Sequence, residues 1–324
     1  MESREVTVMV PLSITVRIGN GPSASPPVEG FTAEVAEEAA RSRSYYHGYK
    51  GYDVEFLETT VPLPQLTEEQ RRIAAKNSEA AEGEDPTVLP YTHFSIVMNA
   101  HRQLAYYTAV NIDGSQSTDL AREGDRWYFD PRIAESEQIG EALYRRNALD
   151  RGHLVRRLDP VWGPQARRAN DDTFHFTNCS PQHERFNQGQ DRWQGLENYI
   201  LNNADARNRK VTVFTGPVMD DRDPIYKGIR LPLAFWKIIA YVKANGTLAT
   251  AAYVLEQGKM IQDMLRFEAV FDPGTYRVKI AHLHARTGLD FDYLIAHELP
   301  LSSGGLEAGQ DRIFVRADYR NLIL

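Results

Sequence analysis

One cysteine, Cys179, in 324 residues excludes an internal disulfide framework and fits a reducing compartment. The start Met1-Glu2-Ser3-Arg4-Glu5-Val6 lacks the basic-then-apolar order of a secretory signal. No stretch approaches the roughly eighteen uncharged apolar residues that a membrane-spanning helix needs. A soluble, cytoplasmic protein that does not engage membranes is therefore expected. No internal repeat is present, so a solenoid or propeller is excluded. Positive charge is in short supply as well, with 37 Lys and Arg against 44 Asp and Glu and a net charge of −7. On average that balance argues against a polyanionic partner, whose binding is driven by neutralised phosphates. What is present is ordinary for a folded body: 42% hydrophobic and 25% charged residues, far from disordered or fibrous compositions. The length allows one large domain or two of common size.

The average charge conceals a segregation. Tyr144 to Arg168 holds Arg145, Arg146, Arg151, Arg156, Arg157, Arg167 and Arg168 against Asp150 and Asp159 only, a local excess of five positive charges. Gly30 to Pro90 runs the other way, with twelve acidic residues against six basic ones. A charge run is commonly just a solvated face, so the chemistry beside it must decide.

Punctuation divides the chain. Val6 to Ile18 alternates as a strand interrupted near Pro11, and Gly19 to Pro27 reads as a Pro/Ser linker, so residues 1–30 are expected to form a separate β arm. An acidic helical and loop extension is expected over 31–90, with a helix from Thr32 to about Ser44 and another starting at Thr67-Glu68-Glu69-Gln70. The main domain is expected over 91–300, followed by a tail over 301–324. Within it, Thr92–Met98 and Leu104–Ile112 predict a β-hairpin, and Val211–Gly216, Phe235–Val242 and Leu248–Leu255 predict further strands. Trp193, Leu196 and Ile200 share one face of a predicted helix. Ile280 to Thr287 predicts another, ended by Gly288.

The chemistry-bearing residues cluster in the middle third. His153, in Asp150-Arg151-Gly152-His153, is a histidine whose usual pKa, about 6.5, suits a general base. Gly152 before it would permit a turn that exposes the ring. Asn187 offers a neutral oxygen to a hard cation, although asparagine also caps helices. Glu197 could hold a cation's waters, although a helical glutamate is commonly solvated. Arg126 could neutralise phosphate or simply pack on an aromatic ring. Cys179 reads as a small packing residue rather than a nucleophile.

As a set, Asp150-Arg151-Gly152-His153, Asn178 with Pro181-Gln182, and Asn187-Gln188 with Trp193 and Leu196-Glu197 resemble the DNA/RNA non-specific endonucleases of the ββα-metal, endonuclease G-like type. The likeness extends over roughly residues 90 to 295. It implies an α+β fold: a ββα-metal (His-Me finger) core on a mixed, mainly antiparallel sheet with flanking helices. It implies Mg2+, with Mn2+ as a substitute, bound by Asn187 as sole protein ligand, and His153 as general base. Arg126 and Arg151 would contact phosphate, Asn178 would organise the site, and Glu197, with Asp150, would lie behind the metal's waters. Arg145, Arg146, Arg156, Arg157, Arg167 and Arg168 would grip nucleic acid. Two features depart from the pattern: the Gly189 to Arg192 insertion between Asn187 and Glu197, and Leu201 where some members carry an arginine.

The activity so implied is Mg2+-dependent, non-specific hydrolysis of phosphodiester bonds in DNA and/or RNA, leaving 5′-phosphate ends. The alternative is a non-catalytic or partner-restrained nucleic-acid-binding module, in the setting of a defence or toxin effector. Either version allows a regulatory or inhibitory protein to engage residues 1–90.

Overall fold

A computed structural model describes residues 4–9, 13–18, 40–122, 124–189, 193–206, 209–265, 275–301 and 312–315. The linker expected over Gly19–Pro27, the first part of the helix expected from Thr32, and Gln190 to Arg192 lie outside them. The chain forms two compact units, residues 1–37 and 38–324. In the first, strands β1 (Arg4–Met9) and β2 (Ser13–Ile18) pair antiparallel, so the expected interrupted strand is two paired strands.

The second unit follows the order α1 (Glu68–Ile73), β3 (Val88–Tyr91), β4 (Phe94–Asn99), β5 (Leu104–Asp113), β6 (Leu149–His153), α2 (Ala166–Asp172), β7 (Cys179–His183), α3 (Glu184–Asn187), α4 (Trp193–Ala206), β8 (Lys210–Val218). It continues with β9 (Ile225–Tyr226), β10 (Ile229–Arg230), β11 (Ala234–Val242), β12 (Leu248–Glu256), α5 (Gly258–Leu265), β13 (Thr275–Val278), α6 (Ile280–Thr287), α7 (Asp292–Ile295) and β14 (Arg312–Val315). Eight strands form one sheet in the order β14-β13-β12-β11-β8-β5-β4-β3. Every ladder in it is antiparallel. The fold is α+β, and the expected mixture of strand directions is confined to isolated bridges such as Tyr128 with His175.

Both faces of the sheet are covered, which explains why its central strands are apolar at nearly every position rather than alternating. Successive side chains of β11 point to opposite faces. Phe235, Ile239 and Tyr241 join Trp193, Leu196 and Ile200 of α4, whereas Trp236, Ile238 and Ala240 join Leu283 of α6 and Leu294 of α7. The end of α6 is set by Gly288, whose φ of 70° and N–H to the His284 carbonyl close the helix in the left-handed region. Thr67 caps α1 in a reciprocal box with Gln70.

The expected boundaries shift. Residues 40–90 do not form a separate extension: Tyr46, Tyr52, Phe56 and Leu57 are buried in the same cores, and β3 is an edge strand of the sheet. Acidic surface positions in this stretch obscured its apolar ones. The expected tail is not all tail either, because β14 pairs with β13.

Candidate active site

Strands β6 and β7 form a separate antiparallel pair, with Asp150 opposite Gln182, Gly152 opposite Ser180 and His153 opposite Cys179. Short α3 and then long α4 follow β7 in sequence, so the chain carries a ββα unit alongside the large sheet. Gln257, directly after β12, ties this unit down: its side chain accepts from the His183 N–H at 2.9 Å and donates to the Pro181 carbonyl at 3.1 Å. The role expected for Gly152 changes here. It sits in extended strand, and a Cβ there would overlap the Gln182 side chain, so glycine is required for close packing and not for an unusual turn.

A cavity of about 420 Å³ opens at the end of β6. Asp150, Arg151, His153, Arg156, Arg157, Asn187 and Glu197 border it, together with Arg122, Asp125, Trp127, Gln188 and Gln194. One strand with the chain that follows it, two helices and the approach to Trp127 thus deliver groups that lie 75 residues apart at the extremes, from Arg122 to Glu197. The imidazole of His153 rests between Trp127, at 4.8 Å between ring centres, and Phe174, at 5.2 Å. Its Nε2 is shielded and has no hydrogen-bond partner. Burial pushes its pKa down to about 3, with Asp125 opposing and Arg122, Arg157 and Arg151 reinforcing. The half-buried ring is therefore neutral at cellular pH.

Asn187 ends α3 and donates from Nδ2 to the Asp150 carboxylate at 3.0 Å, beside a second donor, Gln188 Nε2, at 2.9 Å. A carboxylate accepts only, so this contact fixes the amide with its nitrogen toward Asp150 and leaves Oδ1 for a cation. Glu197 is 7% exposed, and its Oε1 is shielded, with the Lys237 ammonium at 3.4 Å as the charged group beside it. Burial raises its pKa to about 7, against the pull of Lys237. The Asn187 amide oxygen, with the Glu197 and Asp150 carboxylates bordering the same cavity, is the oxygen chemistry that fits a hard divalent cation such as Mg2+.

The arginines divide. Arg151 lies over the Trp127 ring at 5.6 Å and is ion-paired with Glu141. Arg156 donates to Asn198 Oδ1 at 2.7 Å while its Nη1 remains shielded and unpartnered. Arg157 donates to the Leu120 carbonyl at 3.0 Å. Arg126 is not brought to the cavity: it is exposed, 5.3 Å from the Tyr128 ring. Its neighbour Trp127 takes the inward position, and the Arg122–Asp125 pair borders the cavity instead. Arg145, Arg146 and Arg167 are exposed away from the cavity lining. Arg168 is engaged by Tyr49 Oη at 2.9 Å and the Tyr45 carbonyl at 2.6 Å.

Asn178 does not face the cavity. It is fully buried, accepts from the Val155 N–H at 2.9 Å, and donates to the carbonyls of Val155 at 3.0 Å and Thr173 at 2.9 Å. It fixes the chain just beyond His153 and is a positioning residue. Cys179 is buried, and burial raises its thiol pKa to about 12, which agrees with a packing role.

A sequence model of the DNA/RNA non-specific endonucleases matches residues 74–297, which include every residue bordering this cavity. The chain belongs to that family. An uncharacterized protein, y4fB, of Sinorhizobium fredii is 42% identical over 288 residues, 83% of this chain and 43% of that protein. Mitochondrial endonuclease G of Homo sapiens is 30% identical over 152 residues, 42% of this chain and 49% of that one. This chain therefore spans less than half the length of these curated relatives. A crystal structure of an EndoG/EndoGI complex aligns over 64% of this chain and 86% of that chain, with a TM-score of 0.49 and 19% identity. Among the described residues no helix is long and apolar enough to cross a membrane.

Lys237 and the Arg122–Asp125 pair escaped the sequence reading, although Lys237 carried a signal: it interrupts the otherwise apolar run Ala234 to Val242. Glu197 carried a related one, since it shares the buried helical face of Trp193 and Ile200 by its spacing of four and three residues.

Proposed function

We propose that the protein is a Mg2+-dependent non-specific endonuclease that hydrolyses phosphodiester bonds in DNA and/or RNA to 5′-phosphate ends, with Mn2+ able to substitute. The observation that carries this reading is the one cavity that His153, Asn187 and Glu197 share with Arg122, Arg151, Arg156 and Arg157. Family membership supports the nuclease class.

In this reading the neutral imidazole of His153 accepts the proton of the water that attacks phosphorus. Phosphate entering the arginine cluster offsets the positive charge that, along with burial, depresses this pKa, so substrate itself makes the ring a better base. Arg151 and Arg156 neutralise phosphate oxygens, Asp150 orients the Asn187 amide, and Glu197 orients water from the cation side. Asn187 would hold the cation, which when bound supplies charge neutralisation at the phosphate and the leaving oxygen. Gripping backbone rather than base edges, such a site has weak sequence preference and strong salt dependence.

The test incubates plasmid and single-stranded RNA with the protein under chelation and after Mg2+ or Mn2+ is restored. Cation-dependent cleavage by wild type and none by His153→Ala is expected; equal inertness at several salt concentrations would overturn the reading. Restraint by a protein partner engaging residues 1–90 is a further part of the proposal. Deleting residues 1–30 with no change in activity or partners would remove its N-terminal half.

A further inference from the structure

Lys237 is 1% exposed in the middle of β11, where an uncompensated charge would be strongly unfavourable. Three side chains from two elements meet on its ammonium group. Thr215, directly opposite on β8, accepts from Nζ at 3.1 Å; Glu197 Oε1 of α4 lies at 3.4 Å; and the Trp193 ring, one turn before Glu197, lies at 4.3 Å. Glu197 borders the cavity and Lys237 does not. Any influence of the lysine on chemistry therefore passes through the carboxylate.

We propose that Lys237 is a positioning residue for Glu197, its buried ammonium holding the carboxylate at the cavity wall and supplying its countercharge. This rests on the nuclease reading of the cavity. Two further charged groups acting on Glu197 are Asp159, which opposes its ionisation, and Arg156, which favours it, both from the chain after β6. Arg156 is partly engaged by Asn198, and Lys237 exerts the larger pull of the two cations. Were the pair only a strut, apolar substitution of both partners would be close to neutral for stability, and nothing would require one partner to border the cavity.

The experiment compares wild type with Lys237→Met, Glu197→Gln and the double variant. Lys237→Met should slow plasmid cleavage at pH 7 by about 10- to 100-fold, the range for groups that lie behind a metal site's direct ligands. The acid limb of its rate profile should move upward by about one pH unit or more as the countercharge is lost. In the Glu197→Gln background the same substitution should change the rate by less than about threefold, because coupled residues do not add. Lys237→Arg should restore part of the rate. A uniformly scaled profile, or an equal loss in both backgrounds, would overturn the proposal.

A second readout needs no activity. In chelated protein, the pH window over which wild type and Glu197→Gln diverge in urea unfolding should move upward when Lys237 is Met, and coincident windows would overturn the proposal. Thr215→Val, which removes only the hydroxyl partner, should shift both readouts in the same direction by less and serves if Lys237→Met does not fold. If wild type cuts nothing, the nuclease reading fails while the unfolding measurement still decides the role of Lys237.

Discussion

Two histidines, 22 residues apart in sequence, sit in opposite kinds of polar surroundings. His175 donates from Nδ1 to the Asp172 carbonyl at 2.8 Å and accepts at Nε2 from Tyr46 Oη at 2.7 Å. Around it, Asp172 accepts from Tyr45, Tyr49 and the Thr92 N–H. Asp130 is bonded by Tyr91 and Arg132, whose guanidinium lies 4.1 Å from the Tyr46 ring. The His153 cavity leaves His153 Nε2 and Arg156 Nη1 shielded and unpartnered. A satisfied network rigidifies the protein, whereas unmet polar atoms around an open cavity are unfavourable until a ligand supplies partners. The contrast separates residues that hold the body together from residues that border the cavity.

Exchanging substitutions between the two regions should break the comparison most visibly. His153→Ala should reduce cleavage by about 100- to 10,000-fold, the range for a lost general base, with little change in melting temperature. Asp130→Asn should do the reverse, costing about 3–5 kcal/mol of unfolding free energy by leaving the Arg132 charge without its partner. Cleavage per folded molecule should survive, as read by circular dichroism alongside the rate at low temperature. Loss of activity from Asp130→Asn in folded protein would erase the distinction.

Acidity sharpens the comparison at a smaller scale. The folded pKa of Glu197, about 7, exceeds its ordinary value of 4.5. The stabilisation from its bound proton is complete below pH 4.5 and is lost as pH rises to 7, about 3 kcal/mol across the window. Urea unfolding of chelated protein should show this decline, and Glu197→Gln should flatten it. His153 acts with the opposite slope. Its folded pKa lies below the ordinary 6.5, so stability falls as pH drops through that value, and His153→Gln should remove that fall. The smallest effects concern the arginines. Arg156→Ala or Arg157→Ala should each lower the salt-dependence slope of nucleic-acid binding by about 1, while Arg145→Ala, Arg146→Ala and Arg167→Ala, away from the cavity, should each change it less. Binding titrations at several salt concentrations read the difference.

Much of the frame was legible because it is written at short range. The strands at Leu104, Val211, Ala234 and Leu248, the apolar face of α4 and the Gly288 stop each depend on windows of about ten residues, in which periodicity and turn chemistry act. The Asp150 to His153 tetrad and Asn187 were legible for a similar reason, since their residue types carry their chemistry with them. Residues 40–90 were misjudged because surface acids outnumbered the buried tyrosines that anchor them. Arg126 was chosen over Arg122 and Asp125 because nothing local says which side chain the buried Trp127 turns inward.

By itself, then, the sequence determined the central strands of the sheet, the helical face that carries Trp193 and Glu197, and the candidate histidine and asparagine. Tertiary structure alone decided which arginines border the cavity, why residue 152 must lack a side chain, and that a lysine from β11 lies beneath a glutamate from α4. Periodicity acts through neighbours in the chain, but burial, countercharge and orphaned polar atoms are set by segments that meet only after β6, β7, α4 and β11 have packed.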